Sequence, residues 1–249
     1  MAWLIDRELW MRIYGEIISK LKLNFDLDQL ATDILSSILS SMDNAIDVER
    51  LRSVLNESEG ILIFAPGPNL EQDFERALKL KLLKELLTIF IDGAITFALE
   101  RGFTPTLIVT DLDGVPQHIL KLNKLGSIAI VHGHGDNIEE VKSWVPRFKG
   151  PVVGSTQVEP RPYVYNFGGF TDGDRALFIA YALGVRRAIV GGMAFHGPVG
   201  RYSLLYKRKS EDVKRVKMAV AVKLIELLMS WGMEIESLSY AGIPNIRVI

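Results

Sequence analysis

The sequence predicts an α/β protein, a mainly parallel Rossmann-like sheet with helices on both faces, preceded by an N-terminal helical segment. Short runs of apolar and β-branched residues recur from residue 60 onward, continuous rather than alternating, as strands buried on both faces read. Helical periodicity fills most of the intervals between them, the arrangement that yields crossover connections and a parallel sheet. Several runs stop at turns rich in Gly and Asp, and an open parallel sheet has its ligand crevice at those carboxyl ends.

Residues 1–59 read as the helical segment. Trp10, Ile13, Tyr14, Ile17, Ile18 and Leu21 recur at three- and four-residue steps, and Leu30, Ile34, Leu35, Ile38 and Leu39 do so again, with Asp28 placed to cap that second helix. A shorter helix runs from Val48 to Leu55. These stripes pack either on the main domain or on a second subunit, which would make a homodimer.

Residues 60–249 read as the α/β domain. Ile61–Ala65 is a buried strand that runs into Pro66-Gly67-Pro68-Asn69 and a helix from Leu70 to about Leu80. Backbone N–H groups at such a helix start favour anions, which makes Gly67, Pro68 and Asn69 candidates for nucleotide contact. No G-x-G-x-x-G fingerprint and no lysine-bearing phosphate loop occurs in the chain. Further strands are expected near Leu87–Ile91, Leu107–Thr110, Ile128–Val131, Val152–Ser155, Ala188–Val190 and Glu234–Ser239, and a long helix from about Glu211 to Trp231.

The turns carry the chemistry. Leu107–Thr110 ends in Asp111-Leu112-Asp113-Gly114. Alternation along an extended chain would project Asp111 and Asp113 to one side, and two hard oxygen donors there suit Mg²⁺. Asp92, in the earlier strand-Asp-Gly ending, reads equally as a helix cap or as a member of the site. The turn His132-Gly133-His134-Gly135-Asp136-Asn137 offers the two histidines for phosphate or ring contacts and Asp136 as a further candidate for metal or substrate. Thr171 or Asp172 is placed to cap the helix after Asn166-Phe167-Gly168-Gly169-Phe170, whose glycines exceed what capping needs and suggest a tight ligand wall. Gly191 and Gly192, which close the Ala188–Val190 strand, are further candidates for substrate or nucleotide contact. Arg201 and Lys207 belong either to solvated helix ends or to a loop that meets leaving-phosphate charge.

Composition narrows the classes. With 48% hydrophobic and 24% charged residues in 249, there is material for a large core. A net charge of -1 gives no electrostatic reason to expect nucleic acid or an anionic membrane. The absence of cysteine excludes disulfides, thiolate metal sites and Cys nucleophiles. No apolar run long enough to span a bilayer occurs, and Met1–Glu8 lacks the layout of a secretory signal, so a cytoplasmic protein is expected. The scarcity of Cys, Asn and Gln beside many Ile, Glu, Lys and Arg leans toward a thermophile.

Strand-Asp92-Gly93-Ala94 followed by Pro105-x-Leu-Ile-Val-x-Asp111-Leu112-Asp113-Gly114 resembles the nucleotide-facing half of thiamin pyrophosphokinases. The His-x-His-Gly-Asp-Asn and Asn-Phe-Gly-Gly-Phe-Thr-Asp-Gly-Asp-Arg-Ala segments resemble more closely the archaeal 6-hydroxymethyl-7,8-dihydropterin diphosphokinases, over roughly Gly60 to Trp231. The resemblance implies transfer of diphosphate from ATP to the hydroxymethyl oxygen of a reduced pterin, releasing AMP, in tetrahydrofolate- or methanopterin-type cofactor synthesis. It implies Mg²⁺ as cofactor, ATP and the reduced pterin as small-molecule partners, and Asp92, Asp111 and Asp113 as catalytic acids. Asp111, Asp113 and Asp136 are the expected metal ligands, with Asp92 or Asp136 completing the shell or orienting the nucleophile. Asn137, Thr171, Asp172 and Asp174 are the candidates for pterin or ribose. Two other readings stay open: a sugar-nucleotide transferase of the kind linked to flagellin glycosylation, and a non-catalytic nucleotide-binding protein.

Overall fold

The computed structural model describes residues 2–195, 200–205 and 211–249. Its centre is one nine-stranded sheet in the order β6-β5-β4-β3-β2-β1-β7-β8-β9, with every pairing parallel. The strands are β1 (Ile61–Phe64), β2 (Leu87–Ile91), β3 (Leu107–Thr110), β4 (Ile128–His132), β5 (Val152–Ser155), β6 (Val164–Tyr165), β7 (Arg187–Gly191), β8 (Glu234–Ser237) and β9 (Arg247–Val248). The expected strands are all present, to within one or two residues at their ends. The two-residue edge strands β6 and β9 were not anticipated, because two residues carry no periodicity to read.

Alternation along each strand sorts its residues into two cores. Ile61 and Ile63, Ile89 and Ile91, Leu107 and Val109 face one side, while Leu62 and Phe64, Phe90 and Ile108 face the other. On the first side lie α1 (Arg7–Leu21), α3 (Val48–Leu55), α9 (Asp172–Ala182) and α10 (Glu211–Ser230). On the second lie α2 (Phe25–Ser40), α4 (Leu70–Lys79), the one-turn α5 (Leu82–Glu85), α6 (Gly93–Glu100), α7 (Pro116–Lys124) and α8 (Ile138–Trp144). Apolar faces on both sides of every central strand explain the continuous hydrophobic runs.

The N-terminal stripes pack on the main domain. Trp10, Tyr14 and Ile17 enter the first core, Leu35 and Leu39 the second. Trp10 Nε1 donates to Gln157 O at 2.9 Å, and Val152 N donates to Asn44 O at 3.1 Å. Asp28 is not the cap expected of it. Asn24 caps α2 by accepting from Asp26 N and Leu27 N, whereas Asp28 is buried one turn in. Its carboxylate accepts from Gly135 N at 2.7 Å, from Gln157 Nε2 at 3.1 Å and from the Tyr14 hydroxyl. It therefore fastens α1 and α2 to the histidine turn after β4.

The chain steps outward from β1 to β6, then returns across the first face through α9 and lays β7 against the other side of β1. That return places the N-terminus of α9 over β2 and β3.

Candidate active site

The carboxyl ends of β7, β1, β2, β3 and β4 form a continuous rim, and the acids gather in its middle. One oxygen each from Asp92, Asp111 and Asp172 lies within 4.8 Å of the others. They come from the ends of β2 and β3 and from the first turn of α9.

Asp92 sits at the N-cap position of α6, yet its side chain makes no capping bond. Its φ is +47°, a conformation costly for a residue with a Cβ, and its Oδ1 is buried with no hydrogen-bond partner. The cap alternative thus fails at this position. Burial first, then the charges of Asp172, Asp111 and Asp113, push its carboxyl well above the usual range. Asp172 is likewise pushed up by burial and by Asp111, with Arg175 opposing. Like charges crowded in a desolvated space favour the protonated form.

Asp111 is held the other way. Burial pushes it up, but hydrogen bonds from His134 and Asp113 and the His134 ring outweigh that and keep its carboxyl below the usual range. His134 Nε2 lies 3.3 Å from Asp111 Oδ2, and its Nδ1 accepts from Asp136 N at 3.2 Å, which leaves the ring proton on Nε2, aimed at the acid. Asn137 fixes the geometry beneath. Its Nδ2 donates to Asp111 O at 2.6 Å and to His132 O at 2.7 Å, and its Oδ1 accepts from His134 N at 3.0 Å. The amide is consumed by backbone, so Asn137 positions the two turns instead of offering itself to a pterin.

The expected metal trio of Asp111, Asp113 and Asp136 is not the group that converges. β3 stops at Thr110, and Leu112 turns left-handed with φ +67° to bury its side chain in the second core. The pair therefore does not alternate along an extended strand. Instead Asp113 N donates to Asp111 Oδ1 at 3.1 Å, a local turn. Asp113 stays near enough for its charge to act on Asp92. Asp136 is exposed and turns its backbone N–H to His134.

Thr171 caps α9 in a capping box with Asp174, whose oxygens accept from Thr171 N at 2.9 Å, from the Thr171 hydroxyl and from Phe170 N. Asp174 is fully buried and spent in that box, so its expected ligand role gives way to a structural one. Asp172 alone of this group reaches the acids. Beside it the buried Arg175 guanidinium donates to Gly169 O at 3.3 Å and Phe170 O at 2.8 Å, with Nε 3.7 Å from Asp172 Oδ1. Arg175 was missed in the sequence, as was the place of Asp172 among the metal candidates; a cap at Thr171 is legible, but not its box with Asp174 or the return of α9 over β2 and β3.

His132 is 1% exposed, with Nδ1 3.0 Å from Ser155 Oγ and its ring stacked on His134 at 5.8 Å between centroids. Burial, then Arg175 and His134, hold it neutral, against weaker pulls from Asp111 and Gln157.

Gly67, Pro68 and Asn69 lie at the β1 end, and Gly191 and Gly192 at the β7 end, where the strand order reverses. Gly67 N donates to Gly192 O at 2.7 Å, and a Cβ on Gly192 would stand 2.1 Å from Ala65 O. Close backbone packing therefore accounts for these glycines, and Asn69 Nδ2 donates to Ser239 Oγ at 3.2 Å. Arg201 is paired to Glu71 at 3.2 Å and Glu100 at 3.8 Å, and its Nη2 donates to Tyr202 Oη at 2.6 Å. Lys207 lies outside the described residues.

The sequence profile of the family described as 6-hydroxymethylpterin diphosphokinase MptE-like matches residues 36–197. Three curated relatives carry the name 6-hydroxymethyl-7,8-dihydropterin pyrophosphokinase. That of Pyrococcus furiosus is 37% identical over 93% of this chain and 96% of its own. Those of Methanothermobacter thermautotrophicus and Methanocaldococcus jannaschii are 34% and 35% identical, each over 90% of this chain and 95% and 96% of their own. A solved Campylobacter jejuni alpha-2,3-sialyltransferase overlays with a TM-score of 0.37 and 14% identity over 77% of this chain and 81% of its own, too loosely to bear on function.

Proposed function

Since the chain belongs to the MptE-like family of 6-hydroxymethylpterin diphosphokinases, we propose that it transfers diphosphate from ATP to the hydroxymethyl oxygen of 6-hydroxymethyl-7,8-dihydropterin, with Mg²⁺ at the Asp92–Asp111–Asp172 cluster. The pterin oxygen bonds to the β-phosphorus as the bridge to the α-phosphorus breaks, so AMP leaves and the hydroxyl gives up its proton. The product serves cofactor synthesis of the tetrahydrofolate or methanopterin type.

The observation that carries the metal assignment is the convergence of these three carboxylates, one of which, Asp92, also keeps a buried oxygen without a hydrogen-bond partner. An all-carboxylate donor set fits a hard cation that also keeps waters and phosphate oxygens. When bound, Mg²⁺ would neutralise polyphosphate charge and hold the diphosphate for in-line attack. The chain has no phosphate-loop lysine to do this work.

The residues divide the remaining tasks. His134 keeps Asp111 ionised and fixes the direction of its Oδ2. Asn137 locks the β3 and β4 turns at a common height. The α9 N-terminus brings Asp172 in and adds the positive end of its dipole to a place where phosphate charge collects. The Gly67 and Gly192 turns border the same rim and are the natural edge for the nucleotide. Reaction in the cytoplasm, where ATP is available, fits a chain in which no helix among the described residues is long and apolar enough to cross a membrane.

Incubation with ATP, Mg²⁺ and the reduced hydroxymethylpterin tests the proposal. Stoichiometric AMP and pterin diphosphate are expected. Release of ADP, or no AMP, contradicts it.

A further inference from the structure

His132 closes β4, and its Nε2 is buried with no hydrogen-bond partner although Nδ1 is engaged by Ser155. A desolvated nitrogen left unpaired is costly, and interiors keep such atoms where something else completes them. The ring is one stack from His134, which in turn touches Asp111. A second buried nitrogen without a hydrogen-bond partner, Arg175 Nε, borders the same acids through Asp172. Gln157, whose side chain also acts on the His132 ring, has its Nε2 committed to Asp28 and does not come within hydrogen-bond geometry of His132 Nε2.

We propose that His132 Nε2 is the recognition contact for the polar edge of the reduced pterin ring. This rests on the diphosphokinase reading and names the wall on which its acceptor substrate lies. A neutral imidazole offers no charge to a triphosphate, which needs cations. It suits an uncharged fused ring whose in-plane amide and amino groups present both donors and acceptors, so either tautomer of His132 finds a partner. Its place also fits: the hydroxymethyl group must reach phosphorus beside Asp111, and His132 is separated from that acid by one ring only.

The test uses the full-length protein and measures two affinities separately, that of 6-hydroxymethyl-7,8-dihydropterin by its fluorescence and that of ATP with Mg²⁺ by calorimetry. His132→Asn keeps a group at the Nδ1 position for Ser155 and deletes the Nε2 end, whereas His132→Gln reaches the Nε2 position. The expected result is a pterin Kd raised about tenfold or more in His132→Asn, ATP affinity within about twofold of the parent, and substantial recovery in His132→Gln. An unchanged pterin Kd in His132→Asn, or equal weakening of both ligands, overturns the proposal. Parent protein that binds ATP but no pterin overturns the diphosphokinase reading along with it. Should the variants not fold, ¹⁵N-histidine spectra of the parent decide: a pterin-induced shift of the His132 Nε2 resonance is expected, and its absence refutes the contact.

Discussion

Asp92 adopts φ +47° and leaves a buried oxygen unpaired, two local costs in one residue at the tip of a central strand. Its folded-state pKa lies above the unfolded value, so its contribution to stability is present at low pH and is lost as pH rises through the raised pKa. Without metal, Asp92→Asn should therefore melt higher than the parent by a few degrees near neutral pH, on the order of 1 kcal/mol, and the gap should widen as pH rises above the usual carboxylate range. Calorimetric scans in chelator check this; a gap that shrinks as pH rises counts against the assignment. The same variant, and Asp111→Asn, should lose about 100-fold or more in AMP formation while staying folded, as steady-state assays would show. The aspartates after the strands are legible in the sequence because strand, acid and glycine adjoin in the chain. Which acids converge is not, since Leu112 turns the Asp111–Asp113 stretch out of strand geometry and Asp172 arrives from 61 residues beyond Asp111.

Among the elements, α9 does most to assemble the site. Gly169 has φ +81°, and a Cβ there would stand 2.4 Å from Arg175 Cα, so the loop closes on the helix start only with glycine. Gly169→Ala should cost about 1–3 kcal/mol and weaken divalent-cation binding by displacing Asp172, read by denaturant unfolding and Mn²⁺ titration. Asn137 joins two elements in the same way. Asn137→Ala would leave Asp111 O and His132 O without their donor, and a loss of about 2–3 kcal/mol is expected in the same unfolding experiment. The central strands and α3 were readable from the sequence because burial on both faces gives a strand a continuous apolar run and burial on one face gives a helix its period. The role of Asn137 was not, because an amide in a polar turn serves backbone or ligand equally well until its partners are known.

At the scale of the molecule, residues 1–59 share both cores with the sheet, and Asp28 ties them to the histidine turn of the site. A chain begun at Gly60 should therefore lack a cooperative thermal transition, because the surfaces against Trp10, Tyr14, Leu35 and Leu39 would be bare. The fold class was legible because strand and helix alternate along the chain; the packing of the N-terminal helices was not, because an amphipathic stripe does not name its partner. The order of strands decides where chemistry sits: with α9 returning over β2 and β3, the acids meet at the ends of those strands, next to the β1–β7 reversal and beside the turns expected to border the nucleotide. The central claim is that these acids form one divalent-cation site, and the most direct measurement is Mn²⁺ binding followed by electron paramagnetic resonance in the parent, Asp111→Asn and Asp172→Asn. The account predicts tight binding with ATP in the parent, lost in both variants; binding that survives in both would contradict it.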